Sequence, residues 1–141
     1  MRAITFLALS AIAMAIATPV IAGDPAFTGT FSGTGRACSG SLKIRTKTIE
    51  WTSSFSVCKP TGYEILDKDP SSDHQRIAYR LKSQSKHCRY AVVEIEHVSN
   101  AGWNVNGYQS LDAYKNREAP EWKNSAVPER QVLSCPMIGP D

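Results

Sequence analysis

The chain has 141 residues, 42% of them hydrophobic, and its 16 Lys and Arg against 13 Asp and Glu give a formal net charge of +3. The charges are interspersed rather than gathered into a stripe, so nucleic-acid binding has no electrostatic support. Beyond residue 22, no stretch is apolar over the roughly 20 positions that a membrane-spanning helix requires.

The first residues carry the three parts of an export signal. Arg2 is the positive end, Ile4 to Ala17 form an apolar run, and Pro19 breaks the helix ahead of the small residues Ala22 and Gly23. Cleavage is expected before Gly23, and no cysteine follows the cut to take a lipid. Residues 1–22 are therefore read as a cleaved signal peptide and residues 23–141 as one domain. Taking 22 residues from 141 leaves 119, enough for a modest core. All four cysteines, Cys38, Cys58, Cys88 and Cys135, fall in that domain. An even number behind an export signal predicts two disulfides formed in an oxidising compartment, periplasmic or extracellular. The preferred pairing is Cys38–Cys58, tying early strands together, with Cys88–Cys135 fastening the tail.

Along the domain the dominant period is two, the period of half-buried strands. The stretch from Phe27 to Gly35 alternates, but its glycines point to a bulge or a close backbone approach. Leu42 and Ile44, then Ile49 and Trp51 after a turn near Thr46, predict a hairpin. Tyr63 and Ile65 mark a third strand, Ile77, Tyr79 and Leu81 a fourth, Ala91, Val93 and Ile95 a fifth, and Trp103 and Val105 a sixth. Turns are expected at Lys59 to Gly62, Asp67 to Asp73 and Ser99 to Gly102. One helix is expected from Ser110 to Glu118, with Ser110 as N-cap and Ala119-Pro120 as the stop. Prolines at 120, 128, 136 and 140 predict that the chain from Glu121 on is a surface-wrapping tail held by Cys135. The fold class is therefore mostly β, an antiparallel meander or barrel with a short C-terminal helix and a tethered tail. Over Phe27 to Glu118, strands followed by a short helix resemble small lipocalin-like barrels.

Chemical motifs are few. Glu94 and Glu96 share one strand face, a separation of about 7 Å that suits a pair of glycosidase carboxylates. The preceding strand projects Arg76, Arg80 and Lys82, so a solvated ladder of opposite charges opposite Arg80 and Lys82 is the favoured reading. Two Ser-x-x-Lys matches, Ser56 to Lys59 and Ser83 to Lys86, lack the companion motifs of serine β-lactamases. The glycines of Gly35 to Ser41 lack a phosphate-loop lysine, so a turn beside a disulfide is expected there. His74, His87 and His97 lack the spacing of a metal site, His97 being read as a partly buried strand-end residue. No cofactor is expected. Tyr108, Tyr114 and Trp122 lie off the strand pattern, either as an exposed patch for a partner or as a plug in one end of the barrel.

These features favour a small exported, non-enzymatic binding or accessory protein of the cell envelope, with a protein or glycan as partner. An inhibitor of a cell-wall lytic enzyme, a lipocalin-like calyx for an apolar molecule, and a glycan hydrolase using Glu94 or Glu96 are the alternatives.

Overall fold

The computed structural model describes residues 27–125 and 132–140. The leader and its cleavage site lie outside them. In chain order the elements are β1 (Gly29–Gly33), β2 (Gly40–Ile44), β3 (Ile49–Ser53), β4 (Ser56–Thr61), β5 (Tyr63–Asp69), β6 (His74–Leu81), β7 (Val92–Val98), β8 (Gly102–Tyr108), α1 (Leu111–Lys115), α2 (Pro120–Lys123) and β9 (Val132–Ile138). The strands form one antiparallel sheet, ordered β4-β3-β2-β1-β9-β8-β7-β6-β5, and it curls into a nearly closed barrel. The mostly β fold class and the disulfide-tethered C-terminal segment are as the sequence indicates.

Alternation places Phe31, Leu42, Val93, Ile95, Val105 and Cys135 inside, and none of them retains any exposure. Trp51 and Tyr79 join the same core. Strands of alternating pattern bury one face in this way and leave the other for solvent or a second layer. The second layer is α1, which seats Ala113 and Tyr114 against Ala78, Val92 and Tyr108 on the outside of the barrel. Ser110 caps α1 as expected, its hydroxyl accepting from the Ala113 amide at 3.0 Å. The helix ends at Lys115, short of Glu118, and Pro120 begins a second helix rather than stopping the first. Proline fits that first helical position because the amide it lacks would have no partner there.

Two strands escape the sequence pattern. Lys59 to Gly62, expected as a turn, is the second half of β4 and its exit. Pro60 is tolerated because β4 is an edge strand and its register with β3 shifts between Ile49 and Trp51. Similarly β5 runs on to Asp69 through a register shift between Ile65 and Asp67, which shortens the turn expected from Asp67. The tail, for its part, ends in β9, which inserts between β8 and β1. Pro136 stands opposite Asn104. It has no N–H to donate, and it lies just outside the β1–β9 ladder, which covers Ser32↔Ile138 and Gly33↔Met137.

The disulfides are Cys38–Cys135 and Cys58–Cys88, with Cα separations of 5.5 and 4.4 Å. The expected pairing is thus overturned, and the strand order is the reason. Central insertion of β9 brings Cys135 beside the β1–β2 loop that carries Cys38. Cys58 lies on the sheet edge that meets the β6–β7 loop, where the Val57 amide donates to the His87 carbonyl at 2.9 Å. That contact and the Cys58–Cys88 bridge tie the β4 edge to the loop. The close approach anticipated from the early glycines is also present, since a Cβ on Gly33 would collide with the Cys38 carbonyl oxygen.

Candidate functional site

The sequence nominates the outer face of β6, β7 and β8. Glu94 lies opposite Ala78 on β6 and Asn106 on β8, while Glu96 lies opposite Arg76 and Asn104. Small Ala78 leaves Arg76 room to reach diagonally, and its Nη1 donates to Glu94 Oε2 at 2.9 Å. Asn106 Nδ2 donates to Glu94 Oε1 at 3.1 Å and the Tyr108 hydroxyl at 3.2 Å. Arg117, stacked 4.0 Å above the Tyr114 ring, brings its Nε to 3.9 Å from Glu94 Oε2. Only 3% of Glu94 is exposed.

This arrangement corrects the solvated ladder. Arg80 stands opposite Val92 and Glu64, Lys82 lies beyond the end of β6, and Arg76 is the partner of Glu94. Glu96 is the more accessible carboxylate and bonds His74 Nε2 at 2.8 Å. Burial works against the Arg76 charge, but hydrogen bonds to Asp67, Glu94 and Tyr114 outweigh it and raise its pKa. Burial first, then the Glu94 charge, pushes the Tyr108 phenol well above its ordinary range. A general acid must reach the oxygen that it protonates. Glu94 and Glu96 do line a cleft of about 370 Å³ with His74 and Arg117, but the Glu94 side chain is only 4% exposed and both of its oxygens are engaged, which leaves it no free position toward a leaving-group oxygen. The network instead joins three strands to the segment after α1.

Tyr108 and Tyr114 form an edge-to-face pair with centroids 5.3 Å apart, at 5% and 6% exposure. With half-buried Trp122 they cover the barrel's outer wall. They are neither an exposed patch nor a plug, because Ala78 and Val92 leave a shallow seat on that wall for α1. His87 is exposed on the β6–β7 loop, and His97 is half-buried with its ring 4.5 Å from that of Trp103. Among the described residues, no group of His, Cys, Asp and Glu could hold a metal ion.

A second region, which the sequence reading passed over, is the barrel end where the β1–β2 loop, the β3–β4 hairpin, the β6–β7 loop and the start of β9 meet. A cleft of about 370 Å³ opens there, lined by Ser53, Phe55, Arg89, Tyr90, Gln109 and Leu133 among others. Phe55 is 63% exposed at the hairpin tip. The tip is pinned by the Ser54 hydroxyl, which donates to the Arg36 carbonyl at 2.6 Å. The Arg89 amide donates to Ser56 Oγ at 3.0 Å, fixing the far side of the cleft. Below it, Tyr90 stacks on Trp51 at 5.0 Å. Ser53 is only 6% exposed, and its hydroxyl has no hydrogen-bond partner among the described residues. The sequence did hold a signal for this end: alternation resumes at Ser56 and Cys58 after a two-residue turn, which puts a bulky aromatic where no core can receive it.

A scan of protein-family models, a search of curated proteins and a search of solved structures each found no match. Chemistry and geometry are therefore the grounds for a functional reading.

Proposed function

We propose that the protein is an exported, non-enzymatic binding or accessory protein of the cell envelope, which engages a protein or glycan partner through the barrel end around Phe55. The observation that carries this reading is an exposed aromatic on a hairpin tip, held rigid beside a cleft by the Ser54 and Arg89 hydrogen bonds. Rigid aromatic side chains bind with little loss of rotamer entropy, and together with Arg they dominate the energetics of interfaces. Export is supported by the leader composition and by two disulfides, which persist in oxidising compartments. A calyx is disfavoured by an interior filled with fully buried side chains, and a glycan hydrolase by the engaged oxygens of Glu94. An inhibitor of a lytic enzyme remains one form that the partner interaction can take.

Affinity capture from envelope extract with the wild type and with Phe55→Ser, at matched urea midpoints, tests the reading. A partner held by the wild type and lost from the variant is expected. Turnover of peptidoglycan or a simple glycoside, or a partner held equally by both proteins, overturns it.

A further inference from the structure

We infer that the cleft beside Phe55 receives a carboxylate joined to a compact apolar group. The inference rests on the reading of this barrel end as the binding end and adds the ligand chemistry. Three independent observations converge on it.

The first is a cation without a carboxylate partner, carried on a fixed backbone. Arg89 has no carboxylate partner among the described residues. Its backbone is held on one side by the Ser56 bond and on the other by its neighbour Cys88, which is bridged to Cys58. A guanidinium presents a planar fork that matches a carboxylate in a bidentate pair. The charge around it has one sign: the described loop residues that meet here, 34–39, 54–55 and 85–91, carry Arg36, Lys86 and Arg89 and no Asp or Glu. Such a field favours an anion and disfavours a cation.

The second is an unsatisfied buried hydroxyl. Ser53 lines the cleft with its Oγ unpartnered. Buried polar groups are nearly always hydrogen-bonded, so an orphan hydroxyl within the wall of a cleft is one that a ligand atom pressing into that wall would complete. The third is the apolar part of the lining. Phe55, Tyr90 and Leu133 lie on the same cleft, and the volume of about 370 Å³ stands near the small end of ligand sites. An aromatic or branched aliphatic group suits that space better than a long acyl chain.

Two sources supply this chemistry, a free small acid or the C-terminal carboxylate of a peptide ending in an apolar residue. Titration calorimetry on the intact oxidised protein with 3-phenylpropanoate, N-acetyl-phenylalanine and N-acetyl-phenylalanine amide separates them. Both acids are expected to bind with dissociation constants on the order of 1 mM or tighter, and the neutral amide at least about tenfold more weakly. A preference for N-acetyl-phenylalanine over 3-phenylpropanoate assigns the site to peptide C-termini, and equal binding assigns it to free acids. Arg89→Gln is expected to weaken acid binding about tenfold or more without shifting the urea midpoint. Ser53→Ala removes an unpartnered hydroxyl, so it should hold or raise stability while weakening binding, a combination that a purely structural serine does not give. Equal binding of acid and amide, unchanged affinity in Arg89→Gln, or no binding by any probe overturns the inference. Partner capture that still depends on Phe55 would then leave the binding-end reading standing, whereas loss of that dependence removes both.

Discussion

Glu94 and Glu96 sit two residues apart on one strand face, yet their neighbourhoods separate their energetics. Glu94 is buried with Arg76 as its ion-pair partner, whereas the Glu96 side chain keeps 22% of its exposure and faces His74. Glu94→Gln removes the buried charge that faces Arg76 while Asp67 still pairs with that arginine at 2.7 Å, so the substitution is expected to destabilise the protein by about 2 kcal/mol. Glu96→Gln should change stability by less than about 1 kcal/mol, the ordinary value of an accessible pair. Urea denaturation of both variants checks this, and equal small effects would return Glu94 to the solvated ladder. The phenols give a pH counterpart. Burial raises the pKa of Tyr63, Tyr90 and Tyr108, and Glu94 raises Tyr108 further. A folded pKa above the unfolded value contributes stability that is complete below about pH 10 and is lost as pH rises through the folded value. Urea midpoints should therefore fall above about pH 10, and the fall should be shallower in Tyr108→Phe than in the wild type.

At the level of strands and helices, β8 shows how packing constrains a backbone. It must pass close beneath the Trp51–Tyr90 stack, and a Cβ on Gly107 would stand 2.6 Å from Trp51 Cζ3 and 2.8 Å from Tyr90 Cδ1. Gly107→Ala is therefore expected to cost about 1–3 kcal/mol by overpacking. The near-ultraviolet circular dichroism of the stacked rings should change with it. Such a contact is invisible in a linear pattern, and that separates what the sequence reading caught from what it missed. Strands with clean alternation, β2, β3, β6 and β8, were legible because every second side chain enters one core. β4 and β9 were missed because Pro60 and Pro136 read as breakers, and the positions that tolerate them exist only once strand order is known. The same gap misdirected the disulfides. Ser110 was legible as a cap because capping is local, but the burial of Glu94 was not, since it depends on an α1 seat made by Ala78 and Val92. Phe55 escapes a linear reading because the hairpin predicted from Leu42, Ile44, Ile49 and Trp51 stops short of it.

For the molecule as a whole, the two disulfides constrain different things. Cys38–Cys135 spans 97 residues and Cys58–Cys88 spans 30. Restriction of the unfolded chain grows with the loop closed, so losing the first pair to serine is expected to cost about 4–5 kcal/mol and losing the second about 3–4. Peptide mapping of the unreduced protein checks the pairing itself. Hydrogen exchange should also distinguish them, with loss of Cys58–Cys88 loosening chiefly β4 and the β6–β7 loop that it ties together. A mechanical consequence follows from the longer bridge. Tension applied between the two ends of the chain first reaches β1, which holds β9 by only Ser32↔Ile138 and Gly33↔Met137 besides its ladder with β2. Once residues 27–37 and 136–140 have peeled away, the load passes directly from Cys38 to Cys135 through their sulfurs. The chain between those cysteines, from β2 through the cleft and both helices into β9, then lies off the line of force and stays slack until the bridge is reduced.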